Sequence, residues 1–132
     1  MAKAKSPIPE GFHTVTPQLI LDNAKQAIDW YKKALGAEEV ARATGPDGQI
    51  LHAELRIGNS RIMLNDAMGG GKGPTAHGGS PMSLWLYVDD CDAQGRSLAR
   101  GNGTAAGGVD EAVRPAADPL AGVRAHAVSR KG

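Results

Sequence analysis

His52 and Glu54 stand two residues apart in the run Ile50–Ile57, where polar and apolar side chains alternate. In an extended strand that spacing sends both side chains off the same face. An imidazole beside a carboxylate can relay a proton as acid and base, or supply two ligands to a metal ion. The same two residues can also belong to a solvated strand face, with Glu54 paired to Arg56 or Arg61. Trp85 and Tyr87 repeat the spacing within Met82–Val88, and their rings offer surfaces for stacking a flat ligand or for packing and dimer contacts. Gln18 and Asn65, on strands of their own, add neutral amides. These six form the candidate ligand-binding set: His52, Glu54, Trp85, Tyr87, Gln18 and Asn65. None is assigned a catalytic role.

Other chemistry-bearing residues have plainer readings. His13, His77 and His126 have no companions at ligand spacing and read as surface residues. Asp89-Asp90 suits a helix cap, and Cys91 follows as the chain's single cysteine, which excludes an internal disulfide. Gly69-Gly70-Gly71-Lys72 is not a phosphate-binding loop. That motif needs spaced glycines, a Lys-Ser/Thr pair and a following helix, whereas Lys72 precedes Gly73 and Pro74.

The elements that must position the candidates follow from periodicity. Residues 14–21 read as a strand with Pro17 near its entry. Asn23 caps a helix and Gln26 sits three residues on, as in a capping box. Ala24, Ala27, Ile28, Tyr31 and Leu35 then make one apolar stripe, and Gly36 supplies the left-handed stop. Strands are expected over 37–44, 50–57, 61–66 and 82–88, with Gly45-Pro46-Asp47-Gly48 as a turn. The alternation predicts a covered face with Leu19, Leu21, Leu51, Ala53, Leu55, Ile57, Ile62 and Leu64, continued by Leu84, Leu86 and Val88. The opposite, mixed face carries Thr16, Gln18, Ile20, His52, Glu54, Arg56, Met63 and Asn65, continued by Ser83, Trp85 and Tyr87. A curved sheet would make that mixed face the lining of a cleft. A short helix over 92–100 and weak strands over 104–109 and 123–128 complete the expectation. The strand-helix units 18–36 and 84–101 look alike, which suggests a duplicated module.

The 132 residues are one domain's worth, and a net charge of +1 with mixed signs gives no sign of nucleic-acid binding. No run is long enough to cross a membrane, and the tail over residues 1–11 lacks the apolar stretch of a signal peptide. A cytoplasmic protein is expected. Composition divides the chain. All five aromatics precede residue 88, and from Cys91 onward there is no Phe, Trp, Tyr, Ile or Met. Such a segment has little large apolar surface to bury. An aromatic-free run rich in Gly, Ala and Arg is also what a GC-rich gene gives when read out of frame.

Several segments carry a resemblance. Val15–Gly36, with Ile28-Asp29-Trp30-Tyr31-Lys32-Lys33-Ala34-Leu35-Gly36, resembles the first strand and helix of the glyoxalase/bleomycin-resistance/dioxygenase (vicinal-oxygen-chelate) superfamily. Gly45–Gly48, His52–Gly58 and Ile62-Met63-Leu64 look like its PhnB-like branch, and Tyr87–Ala93 like the start of that branch's second module. The resemblance implies an α+β fold of paired βαβββ modules with a curved mixed sheet, often assembled as a homodimer around concave clefts. It implies a single domain over 12–132: a first module over 12–67, a Gly-rich linker over 68–81 and a degenerate second module over 82–132. In metal-dependent members of the family a divalent ion acts as Lewis acid on vicinal oxygens. Here the matching ligand positions hold Thr16, Met63 and Ser83, and the final-strand Glu has no counterpart. Residues 117–124 only echo the expected aromatic closing segment.

The reading is therefore a small-molecule-binding protein, using a concave cleft without metal or other cofactor and assembled as a homodimer. The alternatives are a metal-dependent lyase or dioxygenase with non-standard ligands, and a non-catalytic dimer with no surviving ligand site.

Overall fold

The computed structural model of the chain describes residues 5–78, 81–90, 114–117 and 124–128. The first half is built as its periodicity requires. Strand β1 (Gln18–Leu21) leads into helix α1 (Ala24–Leu35), followed by β2 (Glu38–Thr44), β3 (Ile50–Ile57) and β4 (Ser60–Asp66). The four strands lie in the order β1-β4-β3-β2, with β1 parallel to β4 and the other pairs antiparallel. A parallel β1–β4 pair requires a crossover connection, and the helix lies within it.

Helix α1 starts where its caps dictate. Asn23 Oδ1 accepts the Gln26 N–H at 3.1 Å, and Asp66 Oδ1 on β4 accepts the Ala24 N–H at 2.7 Å. Two of the four amides that a helix start leaves unpaired are thus satisfied, one locally and one across 42 residues of chain. At the other end Gly36 adopts φ 64°, a conformation that costs a side-chain-bearing residue energy, and the Ala37 N–H closes on Tyr31 O at 3.2 Å. The buried stripe is the expected one, widened by Trp30 and Ala34. It covers Leu19 and Leu21 of β1, Ala53 and Leu55 of β3, and Ile62 and Leu64 of β4. Trp30 and Tyr31 meet edge to face with centroids 5.3 Å apart.

Two sequence expectations change here. The strand expected from residue 14 begins only at Gln18, because Pro17 has no N–H to give the ladder. The Pro17 carbonyl still accepts the Met63 N–H at 2.9 Å, so the chain lies against β4 before the strand starts. Leu51 was expected on the covered face, yet it is 44% exposed while Ile50 is 1% exposed. The cause is a β-bulge. Thr44 pairs with Ile50 and Ala43 with His52, which leaves Leu51 as the extra residue. The Ile50 N–H goes instead to Asp66 Oδ2 at 2.7 Å. Leu51 turns outward over Gly45, where a β-carbon would stand 3.3 Å from its Cδ2.

The second half repeats the pairing plan of the first. Strand β5 (Ser83–Tyr87) runs parallel to β7 (Arg124–Val128), and β6 (Arg114–Ala117) lies antiparallel on the far side of β7. That is the arrangement of β1, β4 and β3. The strand expected over 123–128 is present as β7. Strand β6 had no sequence signal, since Arg-Pro-Ala-Ala has weak strand propensity. Its Pro115 is tolerated because β6 is the outer strand of the described sheet. The helix expected over 92–100 and the strand over 104–109 lie outside the described residues. Met82, Leu84 and Leu86 of this half pack against the core of the first. Together the two units make an α+β fold of paired modules. No helix among the described residues is long and apolar enough to cross a membrane.

Candidate functional site

Strand register places the polar candidates. Gln18 pairs with Met63 and Met63 with Glu54, giving one row across β1, β4 and β3. Asn65 lies two residues along β4 from Met63, so it shares that face. The four polar candidates resolve into two bonded pairs. His52 Nε2 lies 3.1 Å from Glu54 Oε1, and Gln18 Nε2 donates to Asn65 Oδ1 at 2.8 Å. Asn65 is 9% exposed, and its Nδ2 donates onward to the Asp66 carbonyl at 3.0 Å. Gln18 and Asn65 hold each other, while the His52 and Glu54 side chains keep 40% and 20% of their surface in water. The second carboxylate oxygen of Glu54 lies 3.7 Å from Arg61 Nη1, an ion pair too long for a hydrogen bond.

Chemically the face offers an imidazole–carboxylate pair and two amides. Among the described residues no three His, Cys, Asp or Glu side chains converge to hold a metal ion. The three positions at which the sequence resemblance implies metal ligands do not fit one either. Thr16 is a neutral hydroxyl ahead of β1, Met63 a thioether between Gln18 and Glu54, and Ser83 an exposed hydroxyl at the start of β5. Such donors neither neutralise a hard divalent cation nor match its preference for charged oxygen and imidazole ligands.

A cleft of about 590 Å³ opens beside this face, between the β3–β4 hairpin and β5. That volume lies within the range typical of small-molecule sites. The amino-terminal segment lends His13, Val15 and Pro17 to one wall, and helix α1 ends there with Leu35. The hairpin supplies Ile57, Arg61 and Ile62. The opposite wall is β5, where Leu84 and Leu86 alternate with Trp85 and Tyr87. Trp85 is 54% exposed and Tyr87 74%, both unusual for rings of that size. Of the six candidates, then, Trp85 and Tyr87 line the cleft, while Gln18, His52, Glu54 and Asn65 lie on the neighbouring sheet face. Arg61 joins the two, lining the cleft and approaching Glu54. His13, read from sequence as an isolated surface residue, sits at the cleft with Nε2 3.0 Å from the Asn59 carbonyl. Arg61 carried two sequence signals. It was one of two arginines expected to pair with Glu54, and the other, Arg56, pairs with Glu38 instead. Arg61 also has the same parity on β4 as Met63 and Asn65, so it had to share their face.

The loop joining the modules is tied down at one point. Asp22 Oδ2 accepts the Thr75 N–H at 2.9 Å. Hydrogen bonds from the Thr75 side chain first, then from its amide, hold the Asp22 carboxyl below the usual carboxylate range.

Comparison with known proteins gives a consistent picture. The profile of the Glyoxalase/Bleomycin resistance protein/Dioxygenase superfamily matches residues 11–115. An uncharacterised protein of Mycobacterium tuberculosis is 47% identical over 85 residues, covering 61% of this chain and 50% of that protein. The chain thus spans about half the length of the curated relatives it matches. Among solved structures, the PhnB protein from Bacillus cereus superposes with a TM-score of 0.65 at 17% identity, covering 89% of this chain and all of that one (100%). An antibiotic-binding protein from a Streptomyces species gives 0.66 at 16% identity, covering 98% of this chain and 100% of that one. At such identities the likeness is one of fold.

Proposed function

Since the chain belongs to the Glyoxalase/Bleomycin resistance protein/Dioxygenase superfamily, we propose that it binds an organic small molecule in the cleft between its two modules, without the family's divalent metal. One observation bears most of the weight. The cleft is open, largely apolar and walled by two exposed aromatic rings, while the family's ligand positions hold Thr16, Met63 and Ser83. A site that retains a ligand-sized hollow without metal donors is suited to sequestering a molecule rather than activating its oxygens. A Streptomyces protein of similar fold is described as antibiotic-binding, which supports this reading.

The proposal includes a homodimer in the cytoplasm. Its support is the apolar surface left bare at Ile20 and Val40, away from the cleft, which a second copy would cover. Light scattering giving the monomer mass at working concentrations would remove this part. The binding claim is tested by metal analysis of the purified protein with a thermal-shift screen of small organic compounds. The expected result is no stoichiometric Ni, Zn, Fe or Mn, and a melting temperature raised by some compounds in the screen. One equivalent of bound metal would overturn it.

A further inference from the structure

The cleft contains a cation whose charge is poorly answered. Arg61 keeps only 15% of its side chain in water, so its guanidinium depends on protein partners. Three neighbours fix it. The Phe12 ring lies 5.0 Å from its Cζ. Glu54 approaches Nη1 at 3.7 Å. Gly11 packs so closely that a β-carbon there would stand 2.7 Å from Nη2. None of them saturates the five donors of the group. Phe12 presents a π-face and no lone pair. Glu54 is beyond hydrogen-bond distance, and its other oxygen is engaged by His52 at 3.1 Å. The Nε atom is buried and has no acceptor among the described residues. A held, underpaired guanidinium in a recess is costly unless an anion joins it.

We infer that the cleft takes an organic anion with a flat apolar body, its carboxylate, sulfonate or phosphonate group on Arg61 and its rings against Trp85 and Tyr87. This deepens the proposal above, and rests on the cleft being a ligand site. The planar guanidinium fork suits a two-oxygen anionic group, which a lysine in its place would meet as a point charge only. Glu54 sets the strength of the interaction, because an incoming anion must compete with it for Arg61.

Two probes that share an aromatic skeleton test this: 8-anilinonaphthalene-1-sulfonate, and its uncharged counterpart N-phenyl-1-naphthylamine, titrated calorimetrically into the full chain. The sulfonate is expected to bind about tenfold or more tighter than the neutral probe, the scale of one charged hydrogen bond. Arg61→Met is expected to bring the sulfonate down to the affinity of the neutral probe and leave the latter unchanged. If neither probe saturates the wild-type chain, the cleft is not a ligand site and both proposals fall. If both bind equally and Arg61→Met alters neither, the cleft stands and the anion inference is overturned. Should Arg61→Met fail to fold, Glu54→Gln decides. It removes the competing charge at constant shape and is expected to tighten the sulfonate severalfold without affecting the neutral probe, and no tightening overturns the inference.

Discussion

In the first module β1 runs parallel to β4, and β3 lies antiparallel beyond it; in the second, β5 runs parallel to β7, and β6 lies antiparallel beyond that. The hydrogen-bond plan is the same, but the residues threaded onto it are not. Strand β4 brings Ile62 and Leu64 to a core that α1 covers. The corresponding strand β7 reads Arg-Ala-His-Ala-Val, and β6 reads Arg-Pro-Ala-Ala. Backbone amides and carbonyls pair whatever side chains they carry, whereas burial scales with apolar area, at roughly 25 cal/mol per Å². The same plan is thus carried on residue types with less apolar area to bury. Stability should sit in the first module, while the second contributes a wall to the cleft through Trp85 and Tyr87.

The comparison breaks most readily at Leu64, which is fully buried between β1 and β3. Leu64→Ala is expected to cost roughly 2–5 kcal/mol in urea denaturation, the range for an emptied leucine site. An effect under about 1 kcal/mol would mean that the first module is not where the stability lies. Next comes Asp66. Its two carboxylate oxygens hold the Ala24 and Ile50 amides at 2.7 Å, tying the helix start, the bulge and β4 together. Asp66→Ala strands both amides and is expected to cost about 3 kcal/mol, with Asp66→Asn, which retains one acceptor, losing about half as much. Equal losses for the two variants would show that the one acceptor asparagine retains stabilises nothing by itself, so that the two bonds act only together.

How far the sequence reveals this protein follows the same division. Helix α1 was legible to the residue at its caps, because Asn23 and Gly36 act on the backbone beside them, although the Gln26 side chain accepts from the Asn23 side chain and not from its N–H as a capping box would have it. The sheet faces were legible from alternation, except at Leu51. That bulge is set by Asp66, 16 residues from Ile50, and no local pattern announces it. In the second module β6 was invisible, since Pro and Ala say nothing of a strand that exists only by pairing with β7. The candidate site divided in a similar way. Trp85 and Tyr87 could be picked by type and spacing, whereas the placing of His13 and Arg61 at the cleft depends on how the amino-terminal segment crosses the β3–β4 hairpin. A contact between residues 46 apart, such as His13 with Asn59, leaves no trace in spacing.

A milder perturbation sharpens the contrast from the other side. Leu86 packs against the common core from β5 but is only partly buried. Leu86→Ala is expected to cost about 1 kcal/mol, well under the Leu64 change, because part of the side chain is in water already. A loss matching that of Leu64→Ala would show the second module to be as tightly built as the first, and the composition argument would fail.

The smallest effect belongs to the tether between the modules. Asp22, at the end of β1, accepts the Thr75 amide in the loop that leads to β5. Because hydrogen bonds from Thr75 lower the carboxyl's pKa, the ionised form is favoured in the folded chain. Folding therefore gains from this group above the ordinary carboxylate pKa. The gain disappears only as pH falls through the lowered folded value. Near neutrality the tether is fully set and insensitive to pH. Asp22 is solvent-exposed, so global stability should barely register its loss, and the readout must be local. Amide exchange at Thr75 is expected to be slow at neutral pH once corrected for intrinsic rate, to accelerate in Asp22→Asn, and to lose its protection in the wild type under acid. If Thr75 exchanges at the same rate in Asp22→Asn as in the wild type, the linker is held by its own packing. Asp22 would then have no part in joining the well-filled module to the sparse one.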